Sequence, residues 1–151
     1  MSHLPILNMT LQHRGNQGYS GFRPDILVHI PKTASTVLDI GCGEGVLGKV
    51  LKQRNSAVVV TGIESDSNSL EKARLNMDRV FVGDLNSEYV WKPLANDQFD
   101  VIVLADVLEH LVCPEQVLER ACQLPADDGL VIVSLPNNDG SPGKAGGFRG
   151  M

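Results

Sequence analysis

Five short apolar runs punctuate the chain, and between them apolar residues recur every three or four positions. Thr36-Val37-Leu38-Asp39-Ile40 reads as a first strand, closed by a glycine loop that runs into a helix from about Val46 to Gln53. Ala57 to Ile63 is continuous and rich in β-branched residues, as expected of a strand buried on both faces. Asp66 or Ser67 caps the next helix, whose inner side is Leu70, Ala73 and Leu75 to Met77. Val80 to Val82 gives a third strand ending at Gly83-Asp84, Phe99 to Ala105 a fourth and Leu130 to Leu135 a fifth. A helix from about Pro114 to Cys122 joins the last two. Before all of these, Pro24 opens a short helix with an Ile26, Leu27 and Ile30 stripe, and Pro31 ends it. The stretch from 85 to 98 carries no clear period; Trp91-Lys92-Pro93 marks a turn after a short helix or strand.

Strands alternating with helices at this spacing form right-handed βαβ units, hence an α/β fold with a Rossmann-like, doubly wound parallel sheet. Ligands of such sheets sit at the carboxyl ends of the strands, near the switch in strand order. The residues following each strand are therefore the ones to read for chemistry: Gly41 to Gly45, Glu64-Ser65, Gly83-Asp84-Leu85 and Asp106.

Composition narrows the partners. A net charge of −5 with scattered basic residues disfavours a nucleic-acid surface. No apolar run approaches the roughly 20 residues of a membrane span, and no secretory leader pattern is present. The three cysteines, Cys42, Cys113 and Cys122, have no paired short spacing, which reads as reduced thiols in a cytoplasmic protein and as neither a disulfide framework nor a metal site.

A glycine loop after a strand lets backbone approach a ligand closely. Glu64, 23 residues beyond Gly41 at the end of the second strand, is placed to accept the hydroxyls of a ribose. Any adenosine-containing cofactor satisfies that pair, and charge discriminates among them. Asp39 and Glu44 flank the loop. At 4 Å, two unit charges interact by roughly 4 kcal/mol at an effective dielectric of about 20, so a pyrophosphate is poorly served here. An ammonium and a sulfonium are well served. Val46 also stands where the third glycine of the dinucleotide fingerprint belongs.

Val37-Leu38-Asp39-Ile40-Gly41-Cys42-Gly43-Glu44-Gly45 resembles the first motif of the class I S-adenosylmethionine-dependent methyltransferases. Gly62-Ile63-Glu64 resembles their second motif and Gly83-Asp84-Leu85 their third. Phe99-Asp100-Val101-Ile102 through Asp106-Val107-Leu108-Glu109-His110-Leu111 is similar to the UbiG-like and type 11/12 subgroup, as is Leu124 to Asn137, and Tyr19 with Arg23-Pro24 resembles an N-terminal signature of some members. The resemblance implies S-adenosylmethionine as cofactor and a small-molecule or cell-envelope or lipid precursor as methyl acceptor. It implies that Asp39, Gly41, Cys42 and Gly43 face the methionine part, Glu64 and Ser65 the ribose, and Asp84 and Leu85 the adenine. Ala105 and Asp106 would border the methyl group's exit side. Asp106 and His110 are the candidate catalytic residues, although His110 with Glu109 reads more simply as an anchor for the loop after the fourth strand. Tyr19 and Arg23 either close over the cofactor carboxylate or pack the N-terminal helix.

The family normally continues past the fifth strand into a helix and two antiparallel strands. Residues 138–151, rich in glycine, show neither strand alternation nor helical period and are expected to be a disordered tail. Residues 1–18 are expected to be a flexible arm, leaving 19–137 as a truncated cofactor-binding domain. The expected sheet has five strands ordered 3-2-1-4-5 with the fifth at an open edge. Such an edge invites a homodimer or another partner. A non-catalytic cofactor-binding module and a nicotinamide-dependent oxidoreductase stand as alternatives.

Overall fold

In the computed structural model the described residues are 22–136 together with the backbone of Ile6–Leu11. In chain order the elements are β1 (Ile6–Leu11), α1 (Pro24–Leu27), β2 (Thr36–Ile40), α2 (Val46–Arg54), β3 (Val59–Glu64), α3 (Leu70–Asn76), β4 (Arg79–Val82), β5 (Phe99–Ala105), α4 (Pro114–Ala121) and β6 (Pro125–Pro136). All strand pairs are parallel, in the order β1-β6-β5-β2-β3-β4. Strands β2 to β6 are the five expected from the sequence, and they stand in the expected order.

Period two divides the core between the faces of the sheet. Leu38, Ile40, Ile102, Leu104, Val131 and Val133 face one way, onto Val117 and Ala121 of α4 and onto Leu94. Val37, Val60, Val101, Val103 and Ile132 face the other, onto Ile26 of α1, Leu51 of α2 and Ala73 of α3. Each such buried aliphatic contributes about 1.5–3 kcal/mol relative to exposure. The central strands are apolar on both faces for this reason. The buried polar or charged exceptions among the described residues are Asp39, Thr61 and Ser134, and of these Asp39 alone carries a carboxylate.

Two expectations need correction. The fifth strand, β6, does not lie at an edge: β1 runs parallel beside it, with Ile6 opposite Val131 and Leu11 opposite Pro136. Within the expected N-terminal arm, Ile6–Leu11 is thus a strand, and the sheet has six strands. Its backbone supplies the partners that β6 would otherwise seek in a second chain, which removes the basis for association through that edge. The remaining expectations for residues 1–18 and 138–151, and for Tyr19, lie outside the described residues.

Smaller differences have local causes. Helix α1 stops at Leu27 because His29 and Ile30 donate to Ile26 and Leu27 in tightened turns ahead of Pro31, and a residue before proline disfavours helix. The unassigned stretch holds two 3₁₀ turns, Glu88–Val90 and Lys92–Leu94. They fold around Trp91, whose Nε1 donates to the Leu85 carbonyl at 2.8 Å inside the core.

Candidate functional site

The carboxyl ends of β2, β3, β4 and β5 meet through backbone hydrogen bonds. Gly41 and Cys42, just past β2, both donate to the Ile63 carbonyl of β3, at 2.8 and 3.0 Å. Gly83, just past β4, donates to the Glu64 carbonyl at 3.1 Å. Beyond β5, Val107 rests on the glycine loop: a Cβ at Gly41 would lie 2.5 Å from Val107 Cγ2. Gly41 also has φ +74°, so both its handedness and its neighbour require glycine. The loop keeps that handedness at Gly43 (φ +53°) and Gly45 (φ +80°) before α2 begins.

Within this rim the loop's amides are largely consumed. Gly41 and Cys42 bond to β3, Gly45 donates to the Cys42 carbonyl at 3.0 Å, and Gly43 donates to Glu64 Oε2 at 2.7 Å. Four of the five amides from 41 to 45 thus point at protein acceptors. A pyrophosphate needs those donors free.

Asp39 defines the charge of the site. It is only 5% exposed, and no hydrogen bond or ion pair reaches its carboxylate among the described residues. Burial, with the charge of Glu64 added, pushes its pKa up to about 7. A buried carboxylate without a partner costs free energy unless it is protonated or meets a cation. Glu64 is better provided. Its Oε1 accepts from Ser65 N at 2.8 Å and Asp66 N at 3.0 Å, and its Oε2 from Gly43 N. Oε1 also accepts from Ser65 Oγ at 3.5 Å and is filled, so the acceptor position left for a ligand hydroxyl is the second one on Oε2.

Cys42 is buried, and Gly62 makes room for it: a Cβ there would lie 2.6 Å from Cys42 Sγ. Burial, and then the charges of Asp39 and Glu64, push its thiol pKa up. It is a packing residue with no thiolate character. Asp84 is exposed and folds its own turn, Oδ1 accepting from Asn86 N at 2.8 Å. Leu85 beside it is buried in the cluster that also holds Val107. Ser65 is exposed next to Glu64, and Ala105 is half-buried at the end of β5.

Asp106 differs from every other rim carboxylate. It has φ +52°, a left-handed conformation costing a non-glycine residue about 1 kcal/mol. Its Oδ1 accepts from Ser134 Oγ at 3.0 Å and its Oδ2 from Arg23 Nη1 at 2.5 Å. Its amide donates to the Ser134 carbonyl and to Ser134 Oγ, both at 3.1 Å. Arg23 in turn bonds Asp25 through Nε at 3.1 Å and Nη2 at 3.0 Å. Both carboxylate oxygens of Asp106 are engaged, which suits a fixed wall better than a proton acceptor. His110 lies in the 3₁₀ turn Leu108–His110 with its side chain 55% exposed, 3.6 Å from Glu109 Oε1.

Asp39, Glu64 and Asp106, to which the sequence points, lie at the carboxyl ends of β2, β3 and β5. For Arg23 the sequence offers two roles and misses the one observed, a bond to Asp106. It also passes over Ser134 and Val107. Ser134 carried a signal, a polar residue closing the apolar run Leu130 to Val133, whereas Val107 carried none. Among the described residues, no cluster of histidine, cysteine or acidic side chains could hold a metal ion.

Residues 11–149 match the family model described as "Methyltransferase domain". The chain belongs to that family. Among relatives of this methyltransferase-domain chain, the ubiquinone biosynthesis O-methyltransferase of Neisseria meningitidis serogroup A is 32% identical over 115 residues, covering 74% of this chain and 48% of the relative. The chain therefore spans about half the length of that curated relative. A crystallised TehB-like SAM-dependent methyltransferase from Corynebacterium glutamicum superposes with a TM-score of 0.57 at 28% identity, covering 71% of this chain and 58% of the other. A plantazolicin methyltransferase crystallised with SAH has the same fold at 24% identity and a TM-score of 0.56, covering 68% and 40% of the two chains. No helix among the described residues is long and apolar enough to cross a membrane.

Proposed function

We propose that this methyltransferase domain binds S-adenosylmethionine at the carboxyl rim of β2 to β5 and serves methyl transfer to a hydroxyl oxygen of a small-molecule acceptor. The observation that carries the reading is the buried carboxylate of Asp39, without a partner among the described residues, beside a loop four of whose five amides are already spent. A site built this way repels phosphate and compensates a cation. When bound, S-adenosylmethionine supplies an electrophilic methyl group on a positively charged sulfur.

The remaining work falls to side chains of this chain. Asp39 holds positive charge near Gly41, and Glu64 offers its open acceptor position to a ribose hydroxyl. Asp84 turns one oxygen to its own Asn86 amide and keeps the other for an exocyclic amine, with Leu85 as the apolar neighbour of a ring. Val107 and Asp106 close the side on which an acceptor would approach. Methyl transfer is a direct displacement, so alignment supplies most of the acceleration. The names of the relatives support oxygen as the accepting atom and a quinone-type precursor as the acceptor class. A cytoplasmic location belongs to this reading, and the three free cysteines support it.

Calorimetric titration with S-adenosylhomocysteine and, separately, NAD tests the cofactor. Saturable binding of the first is expected, weakened at least about tenfold (~1.4 kcal/mol) by Glu64→Ala. Tight NAD binding without S-adenosylhomocysteine binding would overturn the reading. A cofactor-binding module without turnover is the second reading, supported by the candidate catalytic Asp106 having both carboxylate oxygens engaged within the chain. Labelled methyl transfer by this chain to a cell extract would exclude it.

A further inference from the structure

We infer that Arg23 is a positioning residue for the glycine loop, acting through the left-handed turn at Asp106 that seats Val107 on Gly41. The inference rests on the proposed cofactor reading for its meaning, since the loop is the part of the site it would shape. Its basis is a chain of contacts across the sheet. Helix α1 is anchored by Ile26, fully buried, with Ile30 just beyond it 2% exposed, which fixes the position of Arg23 at its N-terminus. From there the guanidinium reaches a residue 83 positions away, Asp106, and approaches Ser134 Oγ of β6 at 3.4 Å.

Asp106 has a conformation that a side-chain-bearing residue avoids without help, and its amide and both carboxylate oxygens are used to hold it there. The turn has a direct consequence one residue on. Val107 is 8% exposed and leaves no room for any side chain at Gly41, so a shift of the turn by a fraction of an ångström moves the loop or opens a gap beneath it. Gly41 and Cys42 are the residues whose amides pin the loop to β3. Arg23 thus stands two contacts from the loop without touching it.

The test uses substitutions at both ends of the latch. Amide exchange of residues 41–43 is followed in the ligand-free protein, with Val101 to Val103 of β5 as an internal reference. Arg23→Met is expected to speed loop exchange about tenfold relative to that reference. Asp106→Gly takes up the left-handed turn without the steric cost of a side chain and so does not need Arg23 to hold it, and its loop should exchange within about threefold of wild type. In combination it should restore Arg23→Met to within about threefold. A positioning role predicts this rescue, whereas a merely structural role predicts equal acceleration of loop and reference. Unchanged loop exchange in Arg23→Met, or a loss that persists in the double variant, would overturn the inference.

S-adenosylhomocysteine affinity supplies a second readout, with about a fivefold loss expected for Arg23→Met and no further loss when Asp106→Gly is added to it. Losses that add across the two sites would show Arg23 acting on the ligand directly and would also overturn it. If the wild-type protein fails to bind S-adenosylhomocysteine, the proposed function falls, while the exchange measurement still decides whether Arg23 governs the loop.

Discussion

Two aspartates end neighbouring central strands, Asp39 in β2 and Asp106 after β5, and their surroundings are opposite. Asp39 is buried with no hydrogen-bonding or ionic partner among the described residues. Asp106 is bound by Arg23 and Ser134 on both oxygens. The β2 side of the rim leaves a charge uncompensated, at a cost to the empty protein, and so holds binding energy in reserve for a cation. The β5 side consumes its charge internally, and so contributes shape. Substituting Asp39 should therefore move stability and ligand affinity in opposite senses, whereas substituting Ser134 should move chiefly stability.

Asp39→Asn puts the largest strain on this contrast. It is expected to weaken S-adenosylhomocysteine binding about hundredfold (~2.7 kcal/mol), the loss of a buried charged partner. At pH 7.5 it should also raise the melting temperature of the ligand-free protein, because a buried anion disappears. A fall in both quantities would erase the distinction between the two aspartates. The same carboxylate gives the next effect. With its pKa near 7 in the empty site, affinity for a cationic ligand should rise about tenfold from pH 6 to pH 8, and Asp39→Asn should flatten that profile.

Folding stability carries the reverse sign. The raised Asp39 pKa favours the folded state at low pH, and that contribution is lost as pH climbs from about 4 through 7. Denaturant titrations of the ligand-free wild type and Asp39→Asn across this window would show it.

On the other side of the rim, Ser134→Ala should destabilise the protein by about 1 kcal/mol and change S-adenosylhomocysteine affinity less than twofold. Denaturation and calorimetry together separate these outcomes; an affinity loss larger than the stability loss would make the β5 side a binding surface too. The smallest effect is expected at His110, whose exposed side chain lies off the loop. His110→Ala should shift cofactor affinity less than about twofold.

The half of the rim that was legible in the sequence is the half made by local chemistry. Asp39, Gly41 to Gly45 and Glu64 lie within 26 consecutive residues, and a strand, a glycine turn and a strand-end acid place them without reference to the rest of the chain. The latch was not legible, because Arg23, Asp106 and Ser134 come from three separate segments and only the packing of α1 against the sheet unites them. Strand β1 was missed for a related reason. Ile6-Leu7-Asn8-Met9-Thr10-Leu11 has too little alternation to announce a buried face, and its partner lies some 125 residues away. The 3₁₀ turns around Trp91 offered no period at all, since each is a single turn.

The pairing of β1 with β6 bears on how the molecule is made. The ribosome releases Ile6–Leu11 first and Val131 to Pro136 long afterwards. At about 5–20 residues per second, the earliest strand waits roughly 6–25 s for its neighbour. Its hydrogen-bonding groups stay open throughout that interval, when a holding chaperone or a neighbouring nascent chain could engage them. Zipping of β1 onto β6 should then follow the pairing of β2, β3, β4 and β5, which are all synthesised before β6.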